Sequence, residues 1–138
     1  MRKASVFIAC CLAVAFALAL KGQSVEAELS PVMKEVAVRM ESLRKGLNSK
    51  SAIDAANEAE RLQALFIRAA GTFSATGAAK VANAARANVG LAAEITKAVS
   101  GGNFQAAEKS ADALQKSCKA CHDAHREQLP DKTYKFKK

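Results

Sequence analysis

Residues 103–125 read NFQAAEKSADALQKSCKACHDAH, a polar segment in which small or apolar side chains return every three or four positions. That spacing is the period of an α-helix with one face turned inward. Asn103 is a typical N-cap, and Pro130 bounds the segment on its C-terminal side. The inward face consists of Phe104, Ala107, Ala111, Leu114, Cys118, Cys121 and His125.

Three similar segments precede this helix. In the first, apolar residues alternate at spacings of four and three, with Ser30 as predicted N-cap and Pro31 as first helical residue. The second begins at Ser51. The third covers about Ala78 to Val99, and its inward face fits either of two registers one residue apart. The inward faces of the first two consist of Leu29, Met33, Val36, Met40, Leu43 and Leu47, and of Ala52, Ala55, Ala59, Leu62, Phe66, Ala69 and Phe73. No segment alternates with period two, so we predict no strand. Short connections between helices of similar length predict an all-α, antiparallel four-helix bundle.

The composition indicates that this bundle needs something more than side chains to fill it. The chain has 138 residues, 5% aromatic side chains and no tryptophan, which allows one domain whose commonest core residue is alanine. Alanine permits helices to approach closely but buries little area. We therefore expect a cofactor to complete the core.

The N-terminal segment resembles a secretory signal. Arg2 and Lys3 precede an uncharged run over residues 4–20, short for a membrane span of about 20 residues. Small residues permit a cut after Ala19 or after Ala27, and we take the second, so that residues 1–27 are the signal and 28–138 the mature domain. An uncleaved anchor, or a lipoprotein built on Cys10 or Cys11, is the alternative. The prediction is export without a remaining membrane segment.

Cys118-Lys-Ala-Cys-His122 has the spacing that attaches a c-type haem covalently. Residues at i, i+3 and i+4 of a helix share a face, so Cys118 and Cys121 can each bond one vinyl group of a porphyrin while His122 reaches the iron. A disulfide across two residues of a helix would be strained, and a redox thiol pair would need a βαβ setting that is missing. Zinc held by Cys118, Cys121 and His125 would need a fourth ligand from elsewhere.

The net charge of +8 raises the question of nucleic acid as a partner. Basic residues are spread along all the helices, and no aromatic residues alternate with them as a base-stacking surface requires. We expect no nucleic-acid binding. A basic surface, including Lys116, Lys119 and the lysine-rich tail, favours docking to acidic redox partner proteins.

The stretch Cys118-Lys-Ala-Cys-His-Asp-Ala-His-Arg126, at the end of the last helix of an alanine-rich exported bundle, resembles the class II cytochromes c. That family includes cytochrome c′ and the low-spin cytochrome c556 type, and the likeness covers residues 29–129. It implies haem c near the C-terminal end of the last helix, a periplasmic location, a monomer or homodimer, and electron or gas chemistry at iron. It also implies that Arg126, four residues after His122, lies on the proximal side of the haem.

The second axial ligand must come from another helix, because the ring separates the last helix from the far face. Beyond the signal the chain offers Met33 and Met40 as thioethers and His125 as another imidazole, and His125 is expected on the same side as His122. The resemblance implies that a methionine of the first helix is the second axial ligand, and Val32-Met33-Lys34 resembles the family segment that carries it. We therefore predict Met33 as this ligand, with Met40 as the alternative.

The predicted function is one-electron transfer with His122 and Met33 as axial ligands, in a carrier rather than an enzyme. The alternative is a five-coordinate, cytochrome c′-like protein that binds NO or CO. A third reading is a haem-free helical adaptor with a zinc site.

Overall fold

The computed structural model describes residues 24–137, which form four α-helices and a short β-hairpin. The elements are α1 Val25–Asn48, α2 Ala52–Ala75, α3 Ala79–Ser100, α4 Phe104–His125, β1 Arg126–Gln128 and β2 Tyr134–Phe136. The predicted all-α four-helix bundle is confirmed.

The predicted start of α1 is wrong by about two turns. Ser24, not Ser30, is the N-cap, its hydroxyl accepts a hydrogen bond from the Ala27 amide at 3.2 Å, and Pro31 lies inside the helix. Proline removes one backbone hydrogen bond, but Glu26 and Glu28 interact favourably with the helix N-terminus and Leu29 is buried. As a consequence, Met33 lies in the third turn of α1 and not at its end.

The prediction that the chain has no strand is also wrong. β1 and β2 pair antiparallel, with Arg126 opposite Phe136. The Asp131 carboxylate orders their connection by accepting hydrogen bonds from the Thr133 amide at 2.9 Å and the Thr133 hydroxyl at 2.6 Å. Strands of three residues are too short to show a period in the sequence.

The buried side chains form two clusters along the bundle axis. Cluster 1 consists of Val36, Leu43, Leu47, Ala55, Ala59, Leu62, Phe66, Ala92, Ile95, Val99, Ala107, Ala111 and Leu114. Cluster 2 consists of Leu29, Val32, Ala69, Ala70, Phe73, Val81, Ala82 and Ala85. The half-buried Leu65 packs against both.

The structure decides between the two registers of α3. Val81, Ala85, Asn88, Ala92, Ile95 and Val99 are all buried. This register turns an amide, Asn88, into the interior of the bundle.

The side of the bundle between α1 and α4 is the most sparsely packed of the four neighbouring helix pairs. In the half away from the hairpin, Arg44 of α1 donates hydrogen bonds to Asp112 at 2.7 Å and Gln115 at 3.0 Å. These two helices carry the predicted axial ligands, so their separation bears directly on the site.

Most of the predicted signal, including Cys10 and Cys11, lies outside the described residues. A cut after Ala27 would remove Ser24 and the first turn of α1, whereas a cut after Ala19 would leave them. Both cuts stay predictions. Within residues 24–137, we find no helix with the length and apolar character that a membrane crossing requires.

Candidate haem-attachment site

The last two turns of α4 bring the three motif side chains together. Cys118, Cys121 and His122 are all half-buried, on the helix that Asn103 caps by accepting a hydrogen bond from the Ala106 amide at 3.0 Å. Both thiols are free. The motif thus lies on a regular helix and turns toward the bundle, as the spacing predicts.

The two cysteines contact different parts of the core. Cys118 packs against cluster 1 and Cys121 against cluster 2, so the motif lies at the junction between the clusters. Burial raises the pKa of both thiols, and the neighbouring Cys121 adds to the effect at Cys118. Each is therefore held as a neutral thiol.

Asn88 of α3 faces this junction. Its Nδ2 lies 4.0 Å from Cys118 Sγ, at the long end of the range for a hydrogen bond to sulfur. The residue is 4% exposed, and its Oδ1 is buried with no hydrogen-bond partner in the structure. Buried amide oxygens are almost always paired, so this acceptor beside the Cys118 thiol marks a polar position in the candidate site. Its only signal in the sequence is that it is a polar residue within an apolar stripe.

The surroundings of His122 favour a neutral imidazole. Burial lowers the pKa of His122, and the positive charge of Arg126 lowers it further, while Asp123 opposes them. A neutral ring keeps the nitrogen lone pair that a metal requires.

His125 lines a cavity of about 240 Å³ beneath the hairpin, together with Phe73, Val81 and Phe136. Phe73 and Val81 belong to cluster 2, against which Cys121 also packs.

The two methionines differ in their surroundings. Both are half-buried, but Met33 packs against cluster 2, as Cys121 does, whereas Met40 packs against cluster 1. Met33 therefore belongs to the end of the bundle that holds Cys121 and the hairpin. That end, formed by the start of α1, the end of α2, the start of α3, the end of α4 and the hairpin, is called the motif end below.

Arg126 follows α4 directly and is exposed. Its amide donates to the His122 carbonyl, and its guanidinium lies 3.9 Å from the centre of the Tyr134 ring. The side chain thus lies against the hairpin, close enough to His122 to act on its charge.

Several of the lysines predicted to steer a partner make local contacts. Lys119 pairs with Asp123, and Lys135 pairs with Glu127 at 3.5 Å. Lys116 is exposed on α4. The basic surface near the motif is therefore partly neutralised by its own carboxylates.

Within the described part of the chain, no group of three or more His, Cys, Asp or Glu side chains is arranged to hold a metal ion. The trio Cys118, Cys121 and His125 considered for zinc is not such a group.

Comparisons of this chain with protein-family models, with curated proteins and with solved structures find no match.

Proposed function

We propose that the chain is a monohaem c-type cytochrome that acts in one-electron transfer, with His122 and Met33 as axial ligands. The proposal joins the likeness of residues 29–129 to class II cytochromes c with the chemistry of the donor set. The observation that carries it is that Met33, from α1, and Cys121, from α4, both pack against cluster 2.

The side chains at the motif end supply the donor groups that a covalently attached haem requires. Two free thiols one turn apart on α4, a half-buried imidazole and a thioether from the facing helix make up the donor set. The unpaired Oδ1 of Asn88 gives the apolar surroundings a polar contact beside Cys118. The proposed ligands Met33 and His122 lie on α1 and α4, the pair of neighbouring helices that packs least closely.

Each side chain has a separate task. Cys118 and Cys121 would hold the group by adding their S–H bonds across its two vinyl groups, which forms two thioethers without loss of atoms. The neutral His122 ring would bind the iron from α4, and Met33 Sδ would bind it from α1. When bound, the haem iron supplies one-electron exchange between its ferric and ferrous states, and thioether ligation favours the ferrous state.

Exposed groups near the motif would guide the partner. Lys116 is the exposed lysine on α4 that best fits docking to an acidic protein, since Lys119 is paired with Asp123. Rim charges of this kind act mainly on the association rate and on its salt dependence.

The alternative is a five-coordinate protein that binds NO or CO. It requires that Met33 does not reach the iron, so that the face of the haem opposite His122 stays open. Periplasmic export and haem c are common to both proposals.

The deciding experiment is the optical spectrum of the full chain, expressed with haem-attachment machinery and exported, in the ferrous form with and without CO. We expect a low-spin spectrum that CO does not change. A spectrum that shifts with CO would favour the gas-binding alternative, and a colourless protein with two titratable thiols would exclude both. The matched control is the double variant Cys118→Ser, Cys121→Ser, which should hold no haem after denaturation.

A further inference from the structure

The β-hairpin begins at the residue after His125, so it is continuous with the helix turn that carries the motif. Its strands, Arg126–Gln128 and Tyr134–Phe136, fold back so that the chain returns to the end of α4. The motif end is therefore the part of the bundle that this tail contacts.

The tail satisfies the last carbonyls of α4. Arg126 donates its amide to the His122 carbonyl, Lys137 donates its amide to the His125 carbonyl at 2.9 Å, and the Lys137 ammonium donates to the Asp123 carbonyl. The final carbonyls of a helix have no partner within it. These bonds hold the turn that presents His122.

The same tail contacts the other helices through Phe136. The Phe136 ring packs edge-on against Phe73 of α2, with 5.2 Å between ring centres and 88° between planes. It also packs against cluster 2, to which α1 contributes Leu29 and Val32. The Phe136 amide donates to the Glu26 carboxylate of α1 at 3.3 Å.

These contacts join helices that otherwise touch little. Arg44 connects α1 to α4 in the other half of the bundle, and the hairpin connects them at the motif end. Along their helices, Met33 and His122 lie between the two connections.

We propose that the C-terminal hairpin is a clasp that holds α1 against α4, and that Phe136 is its positioning residue, placing Met33 for axial ligation. This inference rests on the proposed function. With haem attached, a closed clasp would hold Met33 in place as an iron ligand, whereas a loosened clasp would release Met33 and leave room for a small gas to bind. The clasp needs Glu26, so it requires the signal cut after Ala19 and not after Ala27.

The test compares Phe136→Ala with Tyr134→Ala in the full chain, exported and purified with any haem it has attached. Tyr134 is the matched control because it is an aromatic residue of the same strand, is 42% exposed and contacts Arg126. Hydrogen–deuterium exchange reports on the clasp, and spin state with CO binding reports on Met33. Phe136→Leu, which keeps an apolar side chain, tests for rescue.

For Phe136→Ala we expect amide exchange in residues 25–33 to rise about tenfold, because local opening costs less once half-buried apolar contacts are removed. The ferrous protein should gain a high-spin fraction that binds CO. Tyr134→Ala and Phe136→Leu should stay near the parent in both measurements, and the intact mass should correspond to a chain beginning at Leu20.

Two results overturn the clasp while leaving the proposed function intact: unchanged exchange in residues 25–33 of Phe136→Ala, or faster exchange with a haem that remains low-spin and insensitive to CO. A mature chain that begins at Glu28 also overturns it, since Glu26 is then absent. A parent protein without haem, or one that already binds CO, refutes the His122/Met33 proposal and the clasp together.

Discussion

The side-chain amide of Asn88 points its nitrogen at the sulfur of Cys118, 4.0 Å away, while its oxygen has no partner inside the bundle. The two residues lie on neighbouring helices, α3 and α4, at the junction of the two apolar clusters. A buried amide oxygen without a partner costs free energy in the folded chain, so substitution of Asn88 should have a measurable effect on stability.

Replacing Asn88 with Leu should stabilise the haem-free chain by about 1 kcal/mol, because the variant removes an unpaired buried acceptor and keeps the same branched arrangement of heavy atoms. The measurement is the free energy of unfolding in urea. The control is Asn88→Ala, which also removes the acceptor but leaves a hole. A loss of stability in Asn88→Leu would mean that Oδ1 is already satisfied.

Replacing Met33 with Ala should convert the ferrous protein from low-spin to high-spin and allow CO to bind, because the variant removes the thioether on the cluster shared with Cys121. Met40→Ala is the matched control, since Met40 is a half-buried methionine of the same helix that packs against the other cluster. The optical spectrum with and without CO measures both. The opposite pattern would assign the ligand to Met40.

Replacing His122 with Ala should abolish the normal low-spin spectrum even where both thioethers form, because the proposed proximal nitrogen is lost. His125→Ala provides the comparison, since His125 lies one turn further along and lines the cavity under the hairpin. An unchanged spectrum in His122→Ala would refute its axial role.

Replacing Gly46 with Ala should destabilise the bundle by about 1–3 kcal/mol, the usual cost of overpacking. A Cβ at Gly46 would lie 2.9 Å from the Ala55 amide nitrogen and 3.2 Å from its Cα, so α1 and α2 would have to separate. Urea unfolding measures the change.

Gly90 provides the internal control for that measurement. A Cβ there meets nothing within 4 Å, and Gly90→Ala should stabilise α3 by about 0.5–1 kcal/mol through helix propensity alone. Equal effects of the two substitutions would contradict the close approach of α1 to α2.

Helix periodicity was sufficient to predict the four-helix bundle, but it did not predict every helix boundary. The α2 stripe from Ala55 to Phe73 is buried as predicted. Apolar side chains that recur with the 3.6-residue period lie on one face of a helix, and that face packs into the core. The start of α1 was misplaced because Pro31 is typical of a first turn, whereas capping by Ser24 and burial of Leu29 extend the helix past it.

The common face of Cys118, Cys121 and His122 could be predicted from the sequence, because it depends on α4 alone. The partners of that motif are non-local: the register of α3 that turns Asn88 inward, the cluster that Met33 shares with Cys121, and the return of Phe136 to Phe73. Contacts between distant segments depend on how helices pack and where the chain turns back. Spacing along one helix carries no information about them, so they emerge only once all four helices and the hairpin are assembled.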